Sequence, residues 1–70
     1  MEKFIEFNGG VFNTRYIIAV IKGKQDVPRH LPPQYVISMH TTGDVVSQYF
    51  NEEYERDVVF NKLSRDLLNE

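Results

Sequence analysis

The residues able to do chemistry are few. They are His30 and His40, a basic group at Lys22, Lys24, Arg29 and His30, and an acidic group at Glu52, Glu53, Glu55 and Asp57. A nucleophile needs an adjacent base and a third group that orients it. Neither histidine stands in such an arrangement, or in a metal-binding spacing of the H-E-x-x-H kind. They lie ten residues apart with no third ligand at a fixed offset, and read as two partly exposed side chains. The chain has no cysteine, hence no thiolate ligand and no disulfide. A paired-carboxylate hydrolase needs a deep cleft, and a chain this short scarcely encloses one. Gly9-Gly10 and Gly23 with Lys24 are not phosphate loops, since neither G-x-x-x-x-G-K nor G-x-G-x-x-G is present. No catalytic residue, metal, cofactor or small-molecule substrate is expected.

Binding chemistry is better represented. Lys22, Lys24, Arg29 and His30 are the one basic concentration, and a phosphate, an acidic protein or a nucleic-acid backbone would suit them. The competing reading is a solvated loop whose charges keep a strand edge soluble. Bulk charge argues against nucleic acid, because such modules carry a basic excess and this chain is at −2. The charge is uneven: residues 1–50 sum to +1 and residues 51–70 to −3. The acidic run sits at a predicted helix start, where carboxylates favour the positive end of the helix dipole.

The elements that must position these groups begin with the run Tyr16-Ile17-Ile18-Ala19-Val20-Ile21. Four of its six residues are β-branched, and such side chains suit a pleated surface better than a helix. Alternation puts Tyr16, Ile18 and Val20 on one face and Ile17, Ala19 and Ile21 on the other. Both faces are apolar, which predicts cover on both and a central place in a sheet. Upstream, 3–7 reads as a strand. Asn8-Gly9-Gly10 is a turn signal, because Asn and Gly tolerate positive φ. Val11 and Phe12 resume an extended segment, and Asn13-Thr14-Arg15 predicts a bulge or kink before the apolar run.

Residues 23–33 form the longest irregular stretch and hold all three prolines, which suit neither helix interiors nor sheet ladders. Residues 34–40 read as a strand with Tyr35, Ile37 and Met39 on one face and Val36, Ser38 and His40 on a wetter one. Thr41-Thr42-Gly43-Asp44 is a tight turn, and 45–50 a further strand. Asn51 suits a helix cap, with a helix from Glu52 onward and Glu52 placed to support Arg56 at i, i+4. Val59, Phe60, Leu63 and Leu67 make the stripe expected against the sheet. Tyr54, Val58 and Leu68 fall on roughly the opposite side and are the candidate partner-binding residues.

The sequence therefore predicts one α+β domain over 1–70: a four-stranded antiparallel sheet of two hairpins, with one C-terminal helix packed on it. Seventy residues bury a modest core. Aromatics at 13% supply area for it or for a partner. No segment predicts a membrane span and no leader pattern opens the chain, so a cytoplasmic location is expected. The predicted role is a small non-catalytic protein-interaction module, a regulator, inhibitor or assembly partner, in a homodimer or a hetero-complex. The alternative is a nucleic-acid, phosphate or phosphoinositide binder acting through 22–30.

One resemblance concerns layout. Asn8-Gly9-Gly10-Val11-Phe12-Asn13, then Ile17 or Ile18 and Val20, then Thr-Thr-Gly-Asp before valines, resembles the FlbD/SwrD-like small flagellar-associated proteins. It spans residues 5–60 in outline and rests on turn and strand spacing. Loop 27–33 and the C-terminal helix are longer than that layout. The chain is similar to a small pleckstrin-homology-like module, four strands and a closing helix, to a comparable degree. Neither resemblance carries over a functional residue.

Overall fold

Asn8 and Gly9 set the first turn of the computed structural model, which describes residues 3–68. Their φ values are +51° and +82°, the pair of left-handed residues that a two-residue type I′ hairpin requires. The turn joins β1 (Phe4–Phe7) to β2 (Gly10–Asn13), with Phe7 opposite Gly10. Gly9→Val is expected to cost about 1–2 kcal/mol, because a β-branched residue resists that backbone region. Gly43→Ala is the control: a Cβ there meets open space and φ is not left-handed. Thermal denaturation should separate the two, and equal midpoints would refute the turn argument.

The predicted kink is a 3-10 turn at Thr14–Tyr16. Asn13 Oδ1 accepts from the Arg15 amide at 3.1 Å. Thr14 is buried, and its amide and its hydroxyl both donate to the Lys3 carbonyl, at 2.9 and 3.1 Å. Short polar side chains compete in this way with the sheet ladder. The turn redirects the chain into a second sheet made of β3 (Ile17–Gln25), β4 (Gln34–Thr41) and β5 (Val45–Phe50), all antiparallel in the order β3-β4-β5. The expected single four-stranded sheet is thus corrected to a two-stranded and a three-stranded sheet.

A second correction concerns the run 16–21. Tyr16 belongs to the 3-10 turn, and β3 is an edge strand; the central strand is β4. A register shift between Ile17 and Ala19 breaks the simple alternation. Val20 then faces the same way as Met39, while Ala19 and Ile21 face the same way as His40 and Ser38. Ile18 and Ile21 are exposed, so the run is covered on one side only.

The core lies on the other side. Ile37 and Met39 of β4 are completely buried, with Phe50 of β5, Ile5 and Phe7 of β1, and Leu63 of the helix around them. The helix, α1 (Glu53–Leu68), begins one residue later than expected, with the Glu52 carbonyl accepting the first helical bond from Arg56 at 3.2 Å. Val59, Phe60 and Leu67 pack beside Leu63 against the core, as the stripe predicts. Lys3 Nζ donates to the Asp66 carbonyl and ties the hairpin to the helix. The helix and the hairpin therefore share one side of the three-stranded sheet.

Candidate functional site

Three surfaces merit comparison, and the first is the face of the three-stranded sheet turned away from α1. Pairing fixes its members: Ile21 lies opposite Ser38, and Ser38 opposite Ser47; Val36 lies opposite Tyr49, and His40 opposite Val45. Ile21 is 54% exposed, Val45 51% and Tyr49 56%. An antiparallel sheet with one wet face normally alternates apolar inward and polar outward. Here the wet face is itself rich in apolar side chains. None of its positions on the three strands is Asp, Glu, Lys or Arg, in a chain that is 26% charged. Its central hydroxyls, Ser38 Oγ and Ser47 Oγ, satisfy each other at 3.3 Å.

The second surface is the predicted anion site, and the structure does not gather it. Lys22 lies on the helix side of β3, opposite Ile37. Its ammonium is 3.4 Å from Asp57 Oδ1 and stands over the Phe60 ring at 5.1 Å. Lys24 is exposed two residues further along the strand. Arg29 and His30 are exposed at the tip of loop 26–33, where the Leu31 amide donates to the Pro28 carbonyl at 3.0 Å. Lys22 is already committed to a carboxylate, and Lys24, Arg29 and His30 follow it, exposed, along the end of β3 and the loop.

The third surface is the helix face away from the sheet. Tyr54, Val58 and Leu68 are all exposed there. They are not one continuous strip. Asn61 and Arg65, both exposed, fall between Val58 and Leu68 on that face. Val58 borders a groove with Glu6, Lys62 and Asp66, whereas Leu68 borders a separate groove of about 350 Å³ with Ile18 and Leu67. Val27 and Leu31 of the long loop leave all three residues exposed, so the loop does not cover them.

One residue whose role sequence reasoning missed is Arg56. Its place in the sequence offered only a pairing with Glu52 at i, i+4; in the structure it is buried. Nη1 donates to the Gly23 carbonyl at 2.7 Å, while Nε and Nη2 donate to Asp57 Oδ1 at 3.1 and 2.9 Å. The guanidinium stands 5.3 Å from the Tyr35 ring centre, and Glu53 is 3.6 Å away. Arg56 hydrogen bonding, with Lys22 in support, holds the Asp57 carboxyl below the usual aspartate range. The signal was available: Arg56 is one helical turn before Val59 and Phe60 and two before Leu63, so it lies on the inward stripe. Its chemistry is that of a clamp between α1 and an edge strand.

His40 is half-buried on the sheet face and His30 is exposed. Among the described residues no three His, Asp or Glu side chains gather so as to hold a metal ion. Among the same residues no helix is long and apolar enough to cross a membrane. No family model matches the chain, and neither does a curated protein or a solved structure.

Proposed function

We propose that this chain is a non-catalytic protein-interaction module, a small regulator, inhibitor or assembly partner of a larger protein in the cytoplasm. The observation that supports it is the uncharged outer face of the three-stranded sheet, where Ile21, Val45 and Tyr49 are each more than half exposed. These three side chains stand around the Ser38–Ser47 pair, and aromatic and apolar groups on a face without charge suit the core of a protein interface. Tyr is also among the residues that dominate binding energy, since its ring is large and its hydroxyl tolerates water. The exposed helix residues Tyr54, Val58 and Leu68 offer a second contact on the opposite side.

The test uses a photoreactive side chain placed at position 49 in the full chain, and a second at position 55, on the exposed helix. A specific product from 49 that disappears when Ile21→Lys is added supports the reading. A parallel titration with an oligonucleotide tests the alternative. On the interaction reading, polyanion binding stays weak at any salt. Tight binding that falls steeply with salt and is abolished by Lys24→Glu with Arg29→Glu would replace this proposal by phosphate recognition at the loop end.

A further inference from the structure

Asn8 is followed by Gly9, a pair with chemistry of its own. The amide nitrogen of the residue after an asparagine can attack that asparagine's Cγ and close a five-membered ring. A side chain on the following residue obstructs the approach, and glycine has none. The other asparagines, Asn13, Asn51, Asn61 and Asn69, precede Thr, Glu, Lys and Glu. The turn leaves the reacting atoms accessible. Asn8 and Gly9 are both exposed, and a Cβ built on Gly9 would meet nothing within 4 Å. The hairpin ladder ends at Phe7 and Gly10. The Gly9 amide lies beyond it and forms no hydrogen bond among the described residues. The restraint is on the Asn8 side chain, whose Nδ2 donates to the Ser47 carbonyl at 3.2 Å. Ring closure needs that bond released, and a single exposed hydrogen bond slows it by about tenfold or less.

We propose that Asn8 is a self-modification site, and that its conversion frees the hairpin tip from the edge of β5. The Gly9 nitrogen gives up its proton and bonds to Asn8 Cγ. The bond from Cγ to Nδ2 breaks, and Nδ2 takes up a proton and leaves as ammonia. Water then breaks one of the two C–N bonds of the resulting succinimide. Cleavage at Cγ gives aspartate. Cleavage at the Asn8 main-chain carbonyl gives the isoaspartyl link, with an extra methylene in the backbone. Either product carries a carboxylate, which accepts hydrogen bonds and donates none. The Ser47 carbonyl is also an acceptor, so the bond between them is lost.

Register shows what that bond covers. The Thr41 amide donates to the Asp44 carbonyl and closes the hairpin of β4 and β5. Hydrogen-bonded pairs alternate along an antiparallel ladder, so the next are Met39 with Val46 and Ile37 with Gln48. Ser47 lies between those two pairs, opposite Ser38, and its carbonyl points away from β4 to the free edge. No residue of β5 from Val45 to Phe50 is charged. Asn8 is the side chain seated on this edge. Without it, an uncharged strand presents an unpaired carbonyl, the condition that invites strand addition.

Intact mass and peptide mapping of the full chain, kept folded in neutral buffer, test the reaction. Asn8 should gain one mass unit, as its NH2 becomes OH, at least about tenfold faster than any other asparagine. The rate should rise from mildly acidic to mildly alkaline buffer, because the attacking nitrogen must lose its proton. Unfolding in denaturant should accelerate it by no more than about tenfold. Asn8→Gly, which keeps a residue suited to positive φ, should abolish the gain. A larger acceleration on unfolding means that the turn protects Asn8 and overturns the proposal, as does earlier conversion at another asparagine. Thermal denaturation tests the release. Asn8→Asp, which has the chemistry of one product, should lower the midpoint by at least about 2 °C. An unchanged midpoint shows that Asn8 does not hold the tip to β5, and overturns the inference.

Discussion

Ile37→Ala is expected to destabilise the domain by about 3 kcal/mol, the range for truncating a fully buried aliphatic side chain and leaving a cavity. Ile37 is completely buried at the middle of β4, with β3 on one side and β5 on the other. Seventy residues support about 4–10 kcal/mol in total, so this one change removes a third or more of it. In a domain of this length, 1 kcal/mol shifts the thermal midpoint by roughly 4–8 °C, and a fall beyond about 12 °C is expected. Ile21→Ala is the paired measurement. It removes the same atoms from the same sheet, two residues before a clamped carbonyl, but from an exposed position. In dilute protein it should cost less than about 1 kcal/mol. Similar losses at 37 and 21 would mean that Ile21 is covered as Ile37 is, and the exposure of the outer face would fall.

That pair also marks where sequence reasoning reached its limit. The turns were legible because their residues have local physics: Asn8-Gly9 tolerates positive φ, and Thr41 and Asp44 hydrogen-bond each other across the second hairpin. The alternation of Tyr35, Ile37 and Met39 identified the inward side of β4, and the spacing of Val59, Phe60, Leu63 and Leu67 identified the inward side of α1. The division into two sheets was not legible. It depends on whether Asn13 and Thr14 merely bend a strand or end it, and that is decided by the Lys3 carbonyl eleven residues away. The apolar run 16–21 misled for a different reason. Six apolar residues report that two faces avoid water; they do not report whether this chain or another supplies the cover. Of the candidate site residues, Lys22 was separated from Arg29 and His30 by its own carboxylate partner. The outer face escaped notice because its members come from three strands, and its distinctive property is a lack of charge.

Arg56→Met is expected to cost about 2 kcal/mol, and its pH dependence gives the stricter test. Methionine keeps an unbranched apolar stem but loses the bonds to the Gly23 carbonyl and to Asp57 and the cation over the Tyr35 ring. Hydrogen bonds involving a charged group contribute about 1.5–3 kcal/mol net. The loss is partly offset because Lys22 remains beside Asp57 and methionine tolerates a buried site. Asp57 supplies the titration. Its carboxyl is held below the usual range first by hydrogen bonding to Arg56, against some desolvation, and then by Lys22. A carboxyl with a lower pKa folded than unfolded binds more protons in the unfolded state, so stability rises with pH across that interval. Its contribution is complete above the ordinary aspartate value of about 4 and disappears as pH falls through the folded value. Urea midpoints of wild type and Asp57→Asn should therefore differ at neutral pH and converge in acid below about pH 4. With Arg56→Met as background, Asp57→Asn should change little, since the larger partner is already gone. A wild-type advantage over Asp57→Asn that persists undiminished to low pH would show that Asp57 acts through shape rather than charge. The clamp between α1 and Gly23 would then rest on the guanidinium–carbonyl bond alone.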